Sequence, residues 1–81
     1  MDEEFQQRLI ELQEKLQALV MKAKSLPKSK EANEAVWDEL APLMRDLLWQ
    51  VVVLGEKYGH QKEAEETLRQ FRKEMQEAIT H

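Results

Sequence analysis

The run Leu40-Ala41-Pro42-Leu43-Met44-Arg45-Asp46-Leu47-Leu48-Trp49-Gln50-Val51-Val52-Val53-Leu54-Gly55-Glu56-Lys57-Tyr58 carries two patterns at once. Placed at about 100° per residue around a helix axis with Leu40 as the origin, Val36, Leu43, Met44, Leu47, Val51, Leu54 and Tyr58 fall within roughly 60° of it. A helix with that stripe buries it, so these residues form the expected core face. Trp37, Ala41, Leu48 and Val52 widen the apolar arc on one side to roughly 120°, the breadth expected of a helix packed between two neighbours.

The second pattern lies on the opposite side. Pro42, Trp49 and Val53, with Asp46 among them, make a stripe that a bundle core cannot use, at the three- and four-residue spacing of a helix face. Pro42 has no amide to bond the carbonyl of Asp38, a loss that can cost ~3 kcal/mol inside a helix, so the middle helix is expected to kink or break near Pro42. Gly55 lowers helix propensity by up to ~1 kcal/mol and implies close approach to another helix.

Working outward, Ser29 is placed to cap the start of this helix, and Gly59 to end it in the left-handed geometry glycine tolerates, which gives bounds of about 30–58. Upstream, Phe5, Leu9, Leu12, Leu16, Leu19, Val20, Ala23 and Leu26 alternate three- and four-residue steps and predict a first helix over about 2–26. Asp2, Glu3 and Glu4 suit its positive end and Lys22 and Lys24 its negative end. Pro27 disfavours helical geometry at Leu26 and marks the turn. Downstream, Ala64, Leu68, Phe71, Met75 and Ala78 predict a third helix over about 61–80. Links this short imply antiparallel neighbours, so the expected fold is all-α, one antiparallel three-helix bundle spanning residues 1–81. Pairs such as Glu4 with Arg8, Glu11 with Lys15 and Glu65 with Arg69 are expected to join along exposed faces. Ile10 and Met21, off the first stripe, are expected to pack beside a neighbouring helix.

The 81 residues include no cysteine, so neither disulfides nor thiolate metal sites can supplement the core. Hydrophobic residues make up 42% and charged residues 35%, the balance of an ordered helical protein rather than a disordered one. Both signs of charge are interspersed and sum to −4, which argues against nucleic acid, since phosphate binding needs a concentrated basic face. The acidic start has no apolar segment of the signal-peptide kind, and Leu47 to Leu54 falls short of the ~20 residues of a membrane span. The expected setting is therefore cytoplasmic, or recombinant and soluble, with no membrane partner.

Catalytic equipment is not expected. Ser25, Ser29, Thr67 and Thr80 have no oriented base nearby in sequence, and Ser25 and Ser29 are explained by the turn. His60 and His81 lack a second ligand at three- or four-residue spacing, so no metal is expected, and no phosphate loop or other cofactor motif occurs. The core positions appear apolar throughout, which leaves no basis for a small-molecule site. The chain reads as a non-enzyme.

The stripe opposite the core admits two functional readings. Aromatic anchors beside polar or charged groups are typical of binding hot spots, and Pro42, Arg45, Asp46, Trp49, Gln50 and Val53 are the candidate protein-binding residues. On this reading helix two shares the interface with an adjacent helix, since a typical contact buries ~800 Å² per partner. On the alternative reading the chain is purely structural or a homodimer, the same face closing on a second copy.

With Asp2-Glu3-Glu4, Glu63-Ala64-Glu65-Glu66 and the outlying Trp49-Gln50-Val51-Val52-Val53, the whole chain resembles in style de novo designed helical mini-binders. The resemblance implies a preorganised helical surface held against another protein, where it can block that protein's other contacts. Pro42 and Gly55 depart from the pattern, because designed helices normally exclude both from their interiors.

Overall fold

The computed structural model describes residues 2–26 and 29–80, with the side chains of residues 32, 33, 36 and 80 left aside. Three helices follow one another, α1 (Glu3–Lys24), α2 (Lys30–Tyr58) and α3 (Gln61–Thr80), and each is in contact with the other two. The whole measures 45 × 20 × 16 Å along its principal axes. Among the described residues there is no strand.

The ends of α1 are tighter than the spacing of its apolar residues predicts. Asp2 stands outside the helix as its N-cap and its carboxylate accepts from the Phe5 amide. Ser25 ends the helix, its hydroxyl donating to the Lys22 carbonyl at 2.8 Å. Leu26 consequently lies beyond the helix, half-buried, rather than in the core. Pro27 lies outside the described residues, as does the side chain of Val36. The remaining α1 stripe, Phe5 to Ala23, is buried as its spacing requires.

The α2–α3 connection is set by Gly59. Its φ of 72° is left-handed, where a side chain meets the backbone, and this lets the His60 amide donate to the Gly55 carbonyl at 2.8 Å. That bond satisfies a carbonyl which the end of α2 would leave unpaired. The His60 carbonyl then accepts from Ala64 and starts α3. Phe5 of α1 seals this end: its ring is fully buried, stacked on His60 at 4.4 Å and tilted against Tyr58 at 6.0 Å.

Gly55 and Ala64 make the tightest approach. A Cβ built on Gly55 would lie 2.6 Å from the Ala64 Cβ and 3.3 Å from the His60 carbonyl oxygen, so only a residue without a side chain fits there.

Around this contact the buried arc of α2 comprises Leu40, Val51, Leu54 and Gly55, with Met44, Leu47 and Tyr58 half-buried against the core. Trp37, Ala41, Leu48 and Val52 are half-buried too, as a helix with two neighbours requires. Leu43 is a correction: expected in the core, it is 52% exposed. It lies on the opposite edge of the stripe from Gly55, and the approach at Gly55 turns that edge outward. Ile10 and Met21 are a second correction. Eleven residues apart, they share a side of α1 roughly 120–140° from Leu16, beyond the reach of either neighbouring helix, and both are more than half exposed.

α2 does not break at Pro42; the helix is continuous from Lys30 to Tyr58. Pro42 and Asp38 are both exposed, so water can serve the carbonyl that Pro42 cannot. Of the expected exposed pairs, Glu4–Arg8 forms at 3.3 Å, Arg69 pairs with Glu66 instead of Glu65, and Glu11 makes none with Lys15.

Gly55→Ala should lower the thermal midpoint although alanine is the better helix former. Overpacking of this kind costs about 1–3 kcal/mol, against a propensity gain of up to about 1 kcal/mol. Adding Ala64→Gly should recover part of the loss, and a melt of the double variant no higher than that of Gly55→Ala would refute the steric account.

Candidate functional site

All six residues singled out in the sequence, Pro42, Arg45, Asp46, Trp49, Gln50 and Val53, are exposed. Trp49, at 65%, is the most exposed large hydrophobic residue among those described, an indole outside the core of a chain that has only two tryptophans. The other, Trp37, is packed against the core.

Trp49, Gln50 and Val53 form one wall of an open groove of about 410 Å³ between α2 and α1. Leu12 and Leu54, both buried, meet at its base, and Arg8, Glu11 and Lys15 form the α1 wall, with Lys57 completing the α2 side. The walls follow from helix geometry. Arg8, Leu12 and Lys15 are three and four residues apart, as are Gln50, Val53, Leu54 and Lys57, so each set lies along one side of its helix.

Asp46 stands beside the groove, its carboxylate accepting from the Gln50 amide at 2.8 Å, one turn away. Pro42 and Arg45 do not line the groove. Arg45 projects on the other flank of α2, and Pro42 lies nearly two turns before Trp49. Leu43, from the turned-out edge of α2, adds an exposed apolar residue that the wheel had assigned to the core.

What sequence spacing missed is the α1 wall. Arg8, Glu11 and Lys15 read as an ordinary charged face, and nothing in their own pattern distinguishes them from the equally charged exterior of α3. Only the placement of α1 against the Leu54 side of α2 brings them to Trp49.

A second, smaller depression of about 180 Å³ lies between α1 and α3, lined by Gln13, Leu16, Gln17, Thr67, Gln70, Phe71 and Glu74. Thr67 corrects the expectation of a wholly apolar core, for it is buried and its hydroxyl accepts from the Gln13 amide at 3.2 Å. That hydrogen bond accounts for it. Among the described residues no group of histidine and acidic side chains is placed to hold a metal ion, and no helix is long and apolar enough to cross a membrane.

Tyr58, near the Arg8 end of the groove, is displaced from the ordinary range of a tyrosine. Burial first, then the hydrogen bond its hydroxyl donates to Glu4 and the charge of that carboxylate, raise the phenol; Arg8 opposes them. The folded-state value thus lies above the unfolded one. The stabilisation carried by the neutral phenol is complete below about pH 10 and is lost as the pH rises through the folded-state value.

No protein family, characterised protein or solved structure matches the chain.

Two measurements test this description. In single-tryptophan variants, acrylamide should quench Trp49 close to the free-indole limit and Trp37 less; equal quenching would contradict the placement of the two rings. Because Tyr58 is the sole tyrosine, tyrosinate absorbance reports it alone. Its midpoint should lie above 10 and should fall in Glu4→Gln, whereas an unchanged midpoint would remove Glu4 from the account.

Proposed function

We propose that this chain is a protein-binding module that presents the α1–α2 groove, with Trp49 as its anchor, to another protein. The observation that carries the reading is the exposed indole beside Val53 on the rim of a groove with an apolar base. An indole left in water there contributes nothing to the core, while in an interface it offers a large apolar area with few rotatable bonds.

The bundle on which the groove is built is antiparallel between α1 and α2. Two contacts support this: Phe5 near the start of α1 meets Tyr58 at the end of α2, and Lys22 near the end of α1 reaches Glu39 in the first half of α2 at 4.0 Å. A helix pair packed along a shared core is a preorganised surface, which keeps the ordering cost of association low. α2 runs unbroken through Pro42, so the groove-lining turns from Trp49 to Lys57 belong to one helix. Such a role needs no catalytic group, metal or cofactor, and it is the role that the resemblance to designed mini-binders implies.

The second reading is self-association through the same face, favoured by the additional exposure of Leu43. Light scattering over a hundredfold concentration range separates the two. The binding reading expects a monomer throughout, and a thermal midpoint in Trp49→Ala that corresponds to a change within about 0.5 kcal/mol, as for surface substitutions without structural duties. A mass that doubles with concentration and reverts in Trp49→Ala would establish the homodimer instead. A monomer strongly destabilised by Trp49→Ala would assign the indole to the fold and end both readings.

A further inference from the structure

We infer that the groove receives an amphipathic helical segment of another protein whose apolar stripe is bracketed by carboxylates; this rests on the binding role proposed above. Three of the four ionisable residues that line the groove, Arg8, Lys15 and Lys57, are cationic, and Glu11 alone is acidic. The chain as a whole carries a net charge of −4, so a cationic lining runs against its average. Glu4 offsets part of the Arg8 charge from outside the groove, and Asp46 beside it is engaged by Gln50. Among the described residues Lys15 makes no ion pair, and the Lys57 ammonium lies over the Tyr58 ring, 5.5 Å from its centroid.

Spacing gives the occupant a pattern. Arg8 and Lys15 are seven residues apart on α1, about 10 Å along the axis, with the apolar base of Leu12 between them. A helix laid along the groove matches that arrangement with two acidic residues about two turns apart and leucine-like side chains between, directed at Leu12, Leu54, Trp49 and Val53. Carboxylates so placed meet cations already held at the groove rim, which favours association and fixes register more than it adds affinity. A second copy of this chain fits less well. A two-fold contact through the groove would set Arg8, Lys15 and Lys57 against the same cations of the other copy.

The test uses the full chain, labelled with nitrogen-15, and synthetic helical peptides with one leucine stripe and either glutamate or lysine at the bracketing positions. Titration of the glutamate peptide should shift the indole N–H resonance of Trp49 and the amides of Arg8 and Lys15, leave the Trp37 indole unmoved, and give a Kd at least tenfold below that of the lysine peptide. In the double variant Lys15→Glu, Lys57→Glu the preference should shrink or invert, and both lysines are exposed enough for the fold to persist. Equal binding of the two peptides, or a preference that survives the double variant, would overturn the charge rule while leaving the binding role standing. If neither peptide moves the Trp49 indole at millimolar concentration, the binding role itself falls. Vesicles of an anionic phospholipid form the control arm, and an indole shift with vesicles but with neither peptide would overturn the proposal in favour of a lipid surface.

Discussion

The contact between Gly55 and Ala64 is the constraint around which the bundle is arranged. Two small residues allow the backbones of α2 and α3 to come closer than side chains ordinarily permit, immediately before and after the turn that joins them. The turn in turn depends on Gly59 and on the bond from the His60 amide to the Gly55 carbonyl, so the same glycine serves packing on one side and helix termination on the other. Phe5 then closes the end of the bundle against His60 and Tyr58, tying α1 to the connection.

From that approach follows which part of α2 faces water. With Gly55 held against α3, the buried arc lies between Leu54 and Gly55, and the edge bearing Leu43 turns out. Trp49 and Val53 lie further around the same side, facing the charged flank of α1. The groove therefore lies over a packed α1–α2 seam, and its walls are the flanks of the two helices that neither buried stripe uses. Apolar residues at its base and cations on its rim are the ordinary ingredients of helix-in-groove recognition.

Much of this was legible from spacing alone, because helical periodicity is a strong signal over long segments. The bounds of α2 and α3, the buried stripes of α1 and α3, the left-handed Gly59 and the need for a small residue at Gly55 all follow from patterns within a single helix. Leu26 apart, which the Ser25 cap leaves outside α1, the errors in burial occurred where a second helix decides. Leu43 sits within the expected arc, yet a wheel has no knowledge of which neighbour lies closer. Ile10 and Met21 seemed to have a seam available, and the packing gives them none. Pro42 was expected to kink or break α2, and the break does not occur: the helix is continuous from Lys30 to Tyr58. The α1 wall was hidden for the same reason: charge on a helix exterior acquires meaning only from what stands opposite.

Thr67 has a further consequence for uniqueness. Apolar side chains in a three-helix bundle tolerate sliding, since one leucine contact replaces another at little cost. A hydrogen bond between helices is more particular, and here the largely buried Thr67 accepts from the side-chain amide of Gln13 on another helix. Shifting α1 along α3 by one turn would carry Gln13 away from that hydroxyl and forfeit a hydrogen bond worth about 0.5–1.5 kcal/mol. The pair thus works as a registration pin: it discriminates against slipped alignments of α1 and α3, and so holds the α1 cations at a fixed height relative to the rest of the bundle.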